Sequence, residues 1–282
     1  HIAREDARHA YLFTGAPGVG RRSLALAFAS ALNCLQPPTP GDYCGVCRVC
    51  RQTAAMQLPD LSLVTPESEG GMIKVGQVRE LQHILSLTPY EARYRVALLQ
   101  NFQLANISAQ NALLKTLEEA PPRVILLLTA DSADSLLPTI SSRCEILRLR
   151  PVPVEVLEDA LETRWGVARS EAQLYAHLSS GRPGLARQMA ADPAMLEKRR
   201  GWLDEFMRLL PLNRRERFAA AEKLARNRDQ LRLMLQVWLS FTRDIFLTVN
   251  GMGGKVVNLD YAAESTRIAG TLPRKHALGM MN

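Results

Sequence analysis

Two groups of residues in this 282-residue chain have the types and spacing needed for chemistry. The first is Gly15-Ala16-Pro17-Gly18-Val19-Gly20-Arg21-Arg22-Ser23. Glycines at 15, 18 and 20 let backbone N–H groups turn inward, and a helix opening behind them adds partial positive charge, which is the chemistry of phosphate binding. The match to G-x-x-x-x-G-K-[ST] is incomplete. Arg21 keeps the charge of the expected lysine without its compact reach. Arg22 stands where a hydroxyl would ligate Mg²⁺, and Ser23 comes one residue late, about 100° round the helix. The scaffold of a phosphate loop is present and its metal grip is not. Taken alone, the loop also reads as a glycine-rich turn with no ligand.

The second group is Cys34, Cys44, Cys47 and Cys50, four of the five cysteines. Two interlocking C-x-x-C pairs and one cysteine upstream give four thiolates, the number a tetrahedral structural Zn²⁺ needs. Four protein ligands leave no open position, so the expected role is folding rather than catalysis. A disulfide pair or a redox pair is the alternative, though cytosolic thiols stay reduced. Cys144 reads as core packing. His9, His83 and His177 have no spacing that suggests a metal or a triad.

Both groups need elements to hold them. Ala10 to Thr14 is a short apolar strand leading into the glycine loop, and Leu24 to Ala29 continue as a helix. Further strands are expected at 61–64, 96–99, 124–129 and 144–149, the last of them edge-like. Apolar residues Val75, Val78, Leu81 and Leu85 predict an amphipathic helix, and Asn106 predicts an N-cap for a helix over 107–119 that stops at Pro121-Pro122. Continuous apolar strands alternating with helices mean a parallel sheet covered on both faces. Pro151-Val152-Pro153 marks a boundary, beyond which only helical periodicity is found. Helices are expected over 154–164, 170–179 and 183–191, then over 194–210, 214–227 and 229–249. The last carries Leu231, Leu235, Trp238, Leu239, Thr242, Ile245 and Phe246 as an apolar stripe, for bundle core or for a partner's helices. Residues 251–254 read as a loop, and 267–282 is too short to finish a bundle, so an incomplete C-terminus is expected. The start at His1 without Met suggests a trimmed N-terminus.

The bounds are those of an ordinary globular chain, with 47% hydrophobic and 22% charged residues. No run approaches the ~20 apolar residues that cross a bilayer, and no signal peptide is seen, so no membrane role and a cytoplasmic location are expected. Net charge is +7. That permits nucleic-acid contact, but no basic block predicts direct sequence-specific DNA binding.

One segment ties these pieces together. Asn111-Ala112-Leu113-Leu114-Lys115-Thr116-Leu117-Glu118-Glu119, followed by Ser142-Arg143-Cys144, joins the glycine loop and the cysteines in a pattern that resembles the bacterial clamp-loader AAA+ ATPases. That family comprises the tau/gamma and delta-prime subunits of DNA polymerase III. The resemblance implies an α/β P-loop AAA+ core with a parallel sheet over 1–150, carrying a zinc-binding insertion at 34–50. A three-helix lid over 151–192 and an all-α collar over 193–282 would follow. Hydrolysing members end the strand at 96–99 in Asp-Glu, to support Mg²⁺ and orient water. Gln100 and Asn101 stand there, and neutral amides supply no base. An arginine expected at 184 is Gly184, which Arg182 or Arg187 could replace only with a backbone shift. Thr129 matches a residue that senses the γ-phosphate. Arg143 matches an arginine finger, whose planar cation suits a neighbour's phosphates.

What the resemblance implies is therefore a degenerate ATPase of the delta-prime kind, with a structural Zn²⁺ and no hydrolysis of Mg²⁺-ATP. The glycines, Arg21, Arg22, Ser23 and Thr129 leave weak nucleotide binding open. Implied partners are the tau/gamma and delta subunits through core and collar, with the sliding clamp and primed DNA reached through the assembled complex. An active tau/gamma-type ATPase and a stand-alone zinc-containing interaction module are the alternatives.

Overall fold

The structure is a computed structural model and describes residues 7–68 and 70–271, with only the backbone at Arg228 and Asp229. Two compact units divide the chain at Arg150/Pro151. In the first, strands β1 (Ala10–Thr14), β2 (Leu61–Val64), β3 (Arg95–Leu99), β4 (Val124–Ala130) and β5 (Glu145–Arg148) form one sheet in the order β2-β3-β4-β1-β5. Every pairing is parallel.

Residues of alternate parity leave the sheet on opposite faces. Leu12, Ala97, Leu99, Leu126 and Leu128 join helices α3 (Val75–Leu85) and α4 (Ile107–Glu118) in one core, reached through Val78, Leu81, Leu85, Leu113 and Leu117. Tyr11, Phe13, Val96, Leu98, Ile125 and Leu127 meet helix α1 (Arg21–Asn33) through Ala25, Ala29 and Leu32. Two covered faces explain why β1, β3 and β4 are apolar without alternation. The N-cap of α4 is Asn106, whose side chain accepts from the Ala109 N–H at 2.8 Å. The remaining helices of this unit are α2 (Arg48–Ala54) and the one-turn α5 (Pro138–Ser141).

Sequence periodicity did not show how this unit is tied together at Asp60. This carboxylate is fully buried and accepts from the N–H groups of Tyr90, Glu91 and Ala92, at 2.8, 2.8 and 2.9 Å. Arg95 completes the set at 3.1 Å and itself donates to the carbonyls of Ile84 and Thr88. The connection from α3 to β3 has few apolar anchors, and this polar knot fixes it.

The second unit is helical throughout its described residues. Helices α6 (Val154–Trp165), α7 (Arg169–Ser179) and α8 (Pro183–Ala191) bury Leu157, Leu161, Ala172, Tyr175, Ala176, Ala186 and Met189 together. Leu196, near the start of α9 (Pro193–Leu209), belongs to the same cluster. A second cluster joins Leu203 of α9 to Phe241 and Ile245 of α11 (Arg228–Val249) and to Ile268 of α12 (Ala262–Thr271). Between α9 and α11 lies α10 (Arg214–Leu224), none of whose residues is buried. Arg199 is buried against Asp260 and Asn258, and Asn258 donates to the buried Asp244, so α9, α11 and the 258–260 turn share one polar network.

Two expectations need correcting here. No helix was expected where α12 lies, because a ten-residue helix with two buried side chains gives little periodic signal. The apolar stripe of α11 is met only in part. Met234, Phe241, Thr242 and Ile245 are buried, while Leu235 and Leu239 are about half exposed at 49% and 55%. Thr242 and Ile245 of the expected stripe are in the core, and Trp238 and Phe246 are half-buried. Met234 and Phe241, which the stripe left out, make core contacts in place of Leu235 and Leu239. The expectation for 267–282 lies mostly outside the described residues.

Candidate nucleotide loop and thiol cluster

The carboxyl ends of β1, β3 and β4 converge, which is where open parallel sheets place ligands. Strand register sets Thr14 beside Ala130, and the next residues are joined by a bond from the Gly15 N–H to the Asp131 carbonyl at 3.2 Å. Gly15 has φ +148, and a Cβ there would stand 2.6 Å from the Leu149 carbonyl oxygen, so no side chain fits. Gly20, at φ 99, is the left-handed N-cap of α1. The loop is thus built as a phosphate loop requires.

Its side chains are committed elsewhere. Arg21 is nine-tenths buried, and its guanidinium meets Asp131 Oδ1 at 2.7 Å and Asn101 Oδ1 at 3.3 Å. Arg22 and Ser23 point to solvent. Thr129 is buried, and its hydroxyl accepts from the Asn101 N–H at 2.8 Å. Asn101 adopts φ 52, and Gln100 donates its N–H to the Val64 carbonyl. The structure therefore brings Gly15, Arg21, Asn101 and Thr129 together, with Asp131 as the member that sequence reasoning missed. An acid placed directly after the most apolar strand was the available signal. In the second unit, Arg182 donates to the Ser179 carbonyl at 2.6 Å, and Arg187 stacks on Trp165 with 5.3 Å to the ring centre.

Arg143 follows α5 on the same unit as the loop. Its guanidinium reaches Glu118 Oε1 at 2.6 Å and the Thr139 carbonyl at 2.8 Å. One ion pair thereby links the two motifs that stood out in the sequence, since Glu118 ends the Asn-Ala-Leu-Leu-Lys-Thr-Leu-Glu-Glu helix. About a third of the arginine side chain stays open to solvent. Cys144 beside it packs against the sheet core, and burial pushes its thiol up to about 12, which leaves it unreactive.

The four other thiols lie between α1 and β2. Their sulfurs are all within 4.8 Å of one another, with Cys34 and Cys44 at 3.6 Å and Cys44 and Cys50 at 4.0 Å. Tetrahedral Zn–S bonds of about 2.3 Å put sulfurs about 3.8 Å apart, so the cluster is compatible with a structural zinc ion. Backbone N–H groups of Cys44, Cys47 and Cys50 donate to the sulfurs of Cys34, Cys44 and Cys47. The N–H groups of Cys47 and then Val46 lower the Cys44 thiol. Burial works against the Cys47 thiolate, but the N–H groups of Cys50 and Leu35 outweigh it and bring it down to about 6. Burial, with the Cys47 contact, pushes Cys50 up to about 12. A divalent cation among these sulfurs would supply the charge that the buried Cys50 needs to ionise.

A parallel five-stranded sheet with a glycine loop at the carboxyl end of β1 defines an α/β core of the kind that places ligands at its strand ends. The chain belongs to the DNA polymerase III delta-subunit family, whose model, described as "DNA polymerase III, delta subunit", matches residues 1–153. It is 39% identical over 150 residues to DNA polymerase III subunit delta′ of Pseudomonas aeruginosa, covering 53% of this chain and 45% of that protein. With subunit delta′ of Haemophilus influenzae it shares 33% over 220 residues, 74% of this chain and 66% of the relative. With subunit tau of Escherichia coli the figure is 36% over 154 residues, 55% of this chain and 23% of tau. The chain thus spans about half to two thirds of the length of the delta′ relatives. Its TM-score to a gamma subunit-related protein from Thermotoga maritima is 0.47, at 17% identity over 99% of this chain and 95% of that one. Among the described residues no helix is long and apolar enough to cross a membrane.

Proposed function

We propose that this chain is a non-hydrolysing, delta-prime-type subunit of a DNA polymerase III clamp loader in the cytoplasm. Its task would be to lend Arg143 to ATP held by an adjacent tau/gamma subunit while the sliding clamp is placed on primed DNA. The observation that carries this reading is the side-chain set at the carboxyl edge of the sheet. Gln100 and Asn101 offer amides where phosphoryl transfer to water needs carboxylates, and Arg21 is spent on an internal ion pair. Arg143, by contrast, keeps a partly open guanidinium with a planar fork of donors. In this reading 151–192 is the lid and 193–282 the collar, which packs with the collars of tau/gamma and delta. The purified chain, given ATP and Mg²⁺, is expected to release phosphate no faster than a blank. Magnesium-dependent turnover would overturn the reading. It would favour instead an active tau/gamma-type ATPase, to which the 36% identity with tau lends support.

The same reading assigns Cys34, Cys44, Cys47 and Cys50 to one structural Zn²⁺, bound as four thiolates. Elemental analysis should find about one zinc per chain, and Cys47→Ser should lose it, since a structural site needs all four ligands. Chelation should lower the melting temperature through the loss of metal-coupled folding energy. A zinc-free chain with an unchanged melt would remove the assignment.

A further inference from the structure

The glycine loop carries its own counter-anion. Arg21 opens α1 with a side chain that is nine-tenths buried, and the group it faces at 2.7 Å is the Asp131 carboxylate. Asp131 is held at that position by its backbone, because its carbonyl accepts from the N–H of Gly15, the first residue of the loop. The second acceptor on the guanidinium is the Asn101 amide oxygen at 3.3 Å. Both Nη groups of the loop's buried cation are therefore directed at acceptors from this chain.

We propose that Asp131 is the residue that decides what the loop accepts, its carboxylate standing where anionic phosphate oxygens would pair with Arg21. The proposal rests on the non-hydrolysing reading above and adds the device that keeps nucleoside triphosphates and pyrophosphate out. A phosphate entering the loop must either displace the carboxylate from Arg21 or lie against a like charge, and each route costs binding free energy. The competitor is part of the chain, so its effective concentration beside Arg21 does not fall on dilution. Glycine conformation alone does not exclude phosphate, because Gly15, Gly18 and Gly20 all take the positive φ such a loop uses. The Asp131 side chain is half exposed, so it can be replaced without opening a cavity.

Calorimetric titration of the full chain with ATP in magnesium-free buffer tests this. Asp131→Asn is expected to bind ATP at least about tenfold more tightly than the unaltered chain, the size expected for freeing a partly buried cation. The gain should vanish when Arg21→Ala is added, since the variants are coupled through one contact. Asp131→Ser serves as the second variant if thermal melts show that the asparagine form is unfolded. Equal affinity in the unaltered chain and the Asp131 variants, including no measurable binding in any, overturns the proposal, as does a gain that survives loss of Arg21. ATP binding by the unaltered chain as tight as by the variants, without turnover, overturns this proposal alone. Turnover with Mg²⁺ overturns the reading beneath it.

Discussion

On the proposed function, a loader assembled from this chain with tau/gamma and delta subunits should lose about 10³-fold or more in hydrolysis at the neighbouring ATP site when Arg143 is replaced by alanine. The size follows from what a guanidinium does at a transferring phosphoryl group. It brings two parallel N–H donors and a permanent charge to oxygens that gain charge only in the transition state, so the loss falls on the chemical step. In the free chain those donors are directed at Glu118 and the Thr139 carbonyl. Both partners belong to the same folded unit, and the pair with Glu118 is partly solvent-exposed, so its removal should change folding stability by no more than about 1 kcal/mol. Zinc content and gel-filtration behaviour of the complex should therefore be unchanged while single-turnover hydrolysis falls. Arg143→Lys should rescue little, because a point charge does not reproduce the fork. Unchanged single-turnover rates in the alanine variant would remove Arg143 from the reaction.

What could be read from the sequence divides along physical lines. The central strands β1, β3 and β4 were visible because burial on both faces writes continuous apolar runs, and caps such as Asn106 mark helix starts. The thiol cluster was visible because four thiols gathered within 4.8 Å in a short segment are also close in sequence. The glycine loop was visible for a reason independent of nucleotide, since the Leu149 carbonyl leaves Gly15 no room for a side chain. The shape of the loop is therefore fixed by packing, whatever side chains stand around it. Contacts between residues far apart in sequence were not legible. Arg21 finds Asp131 across 110 positions, and Asp60 finds Arg95 across 35. Nothing periodic announces such pairs. The Glu118–Arg143 pair was half legible, since both motifs stood out but the bond between them did not.

Asp60→Ala is expected to destabilise the chain by about 3–5 kcal/mol, measured by urea unfolding at neutral pH. The change leaves the Arg95 guanidinium, 8% exposed, without its carboxylate, and strips three backbone N–H groups of their acceptor. Removing both charges in Asp60→Ala/Arg95→Leu should cost less than the single change, because an unpaired buried charge is the larger part of the penalty. If the double variant were the less stable, the pair would matter for more than mutual neutralisation. The same carboxylate sets an acid limit. Burial works against its ionised form, but the N–H groups of Glu91, Tyr90 and Ala92 and the charge of Arg95 outweigh it and hold the carboxyl below the ordinary aspartate range. The unfolded chain then binds this proton more readily than the folded one, so the stabilisation is present above the unfolded value of about 3.9 and is lost as pH falls toward the folded value. Unfolding free energy should therefore drop below about pH 4 in the unaltered chain and drop less steeply in Asp60→Asn, which has no proton to take up at that position. Equal acid slopes in the two proteins would show that other carboxylates set the limit.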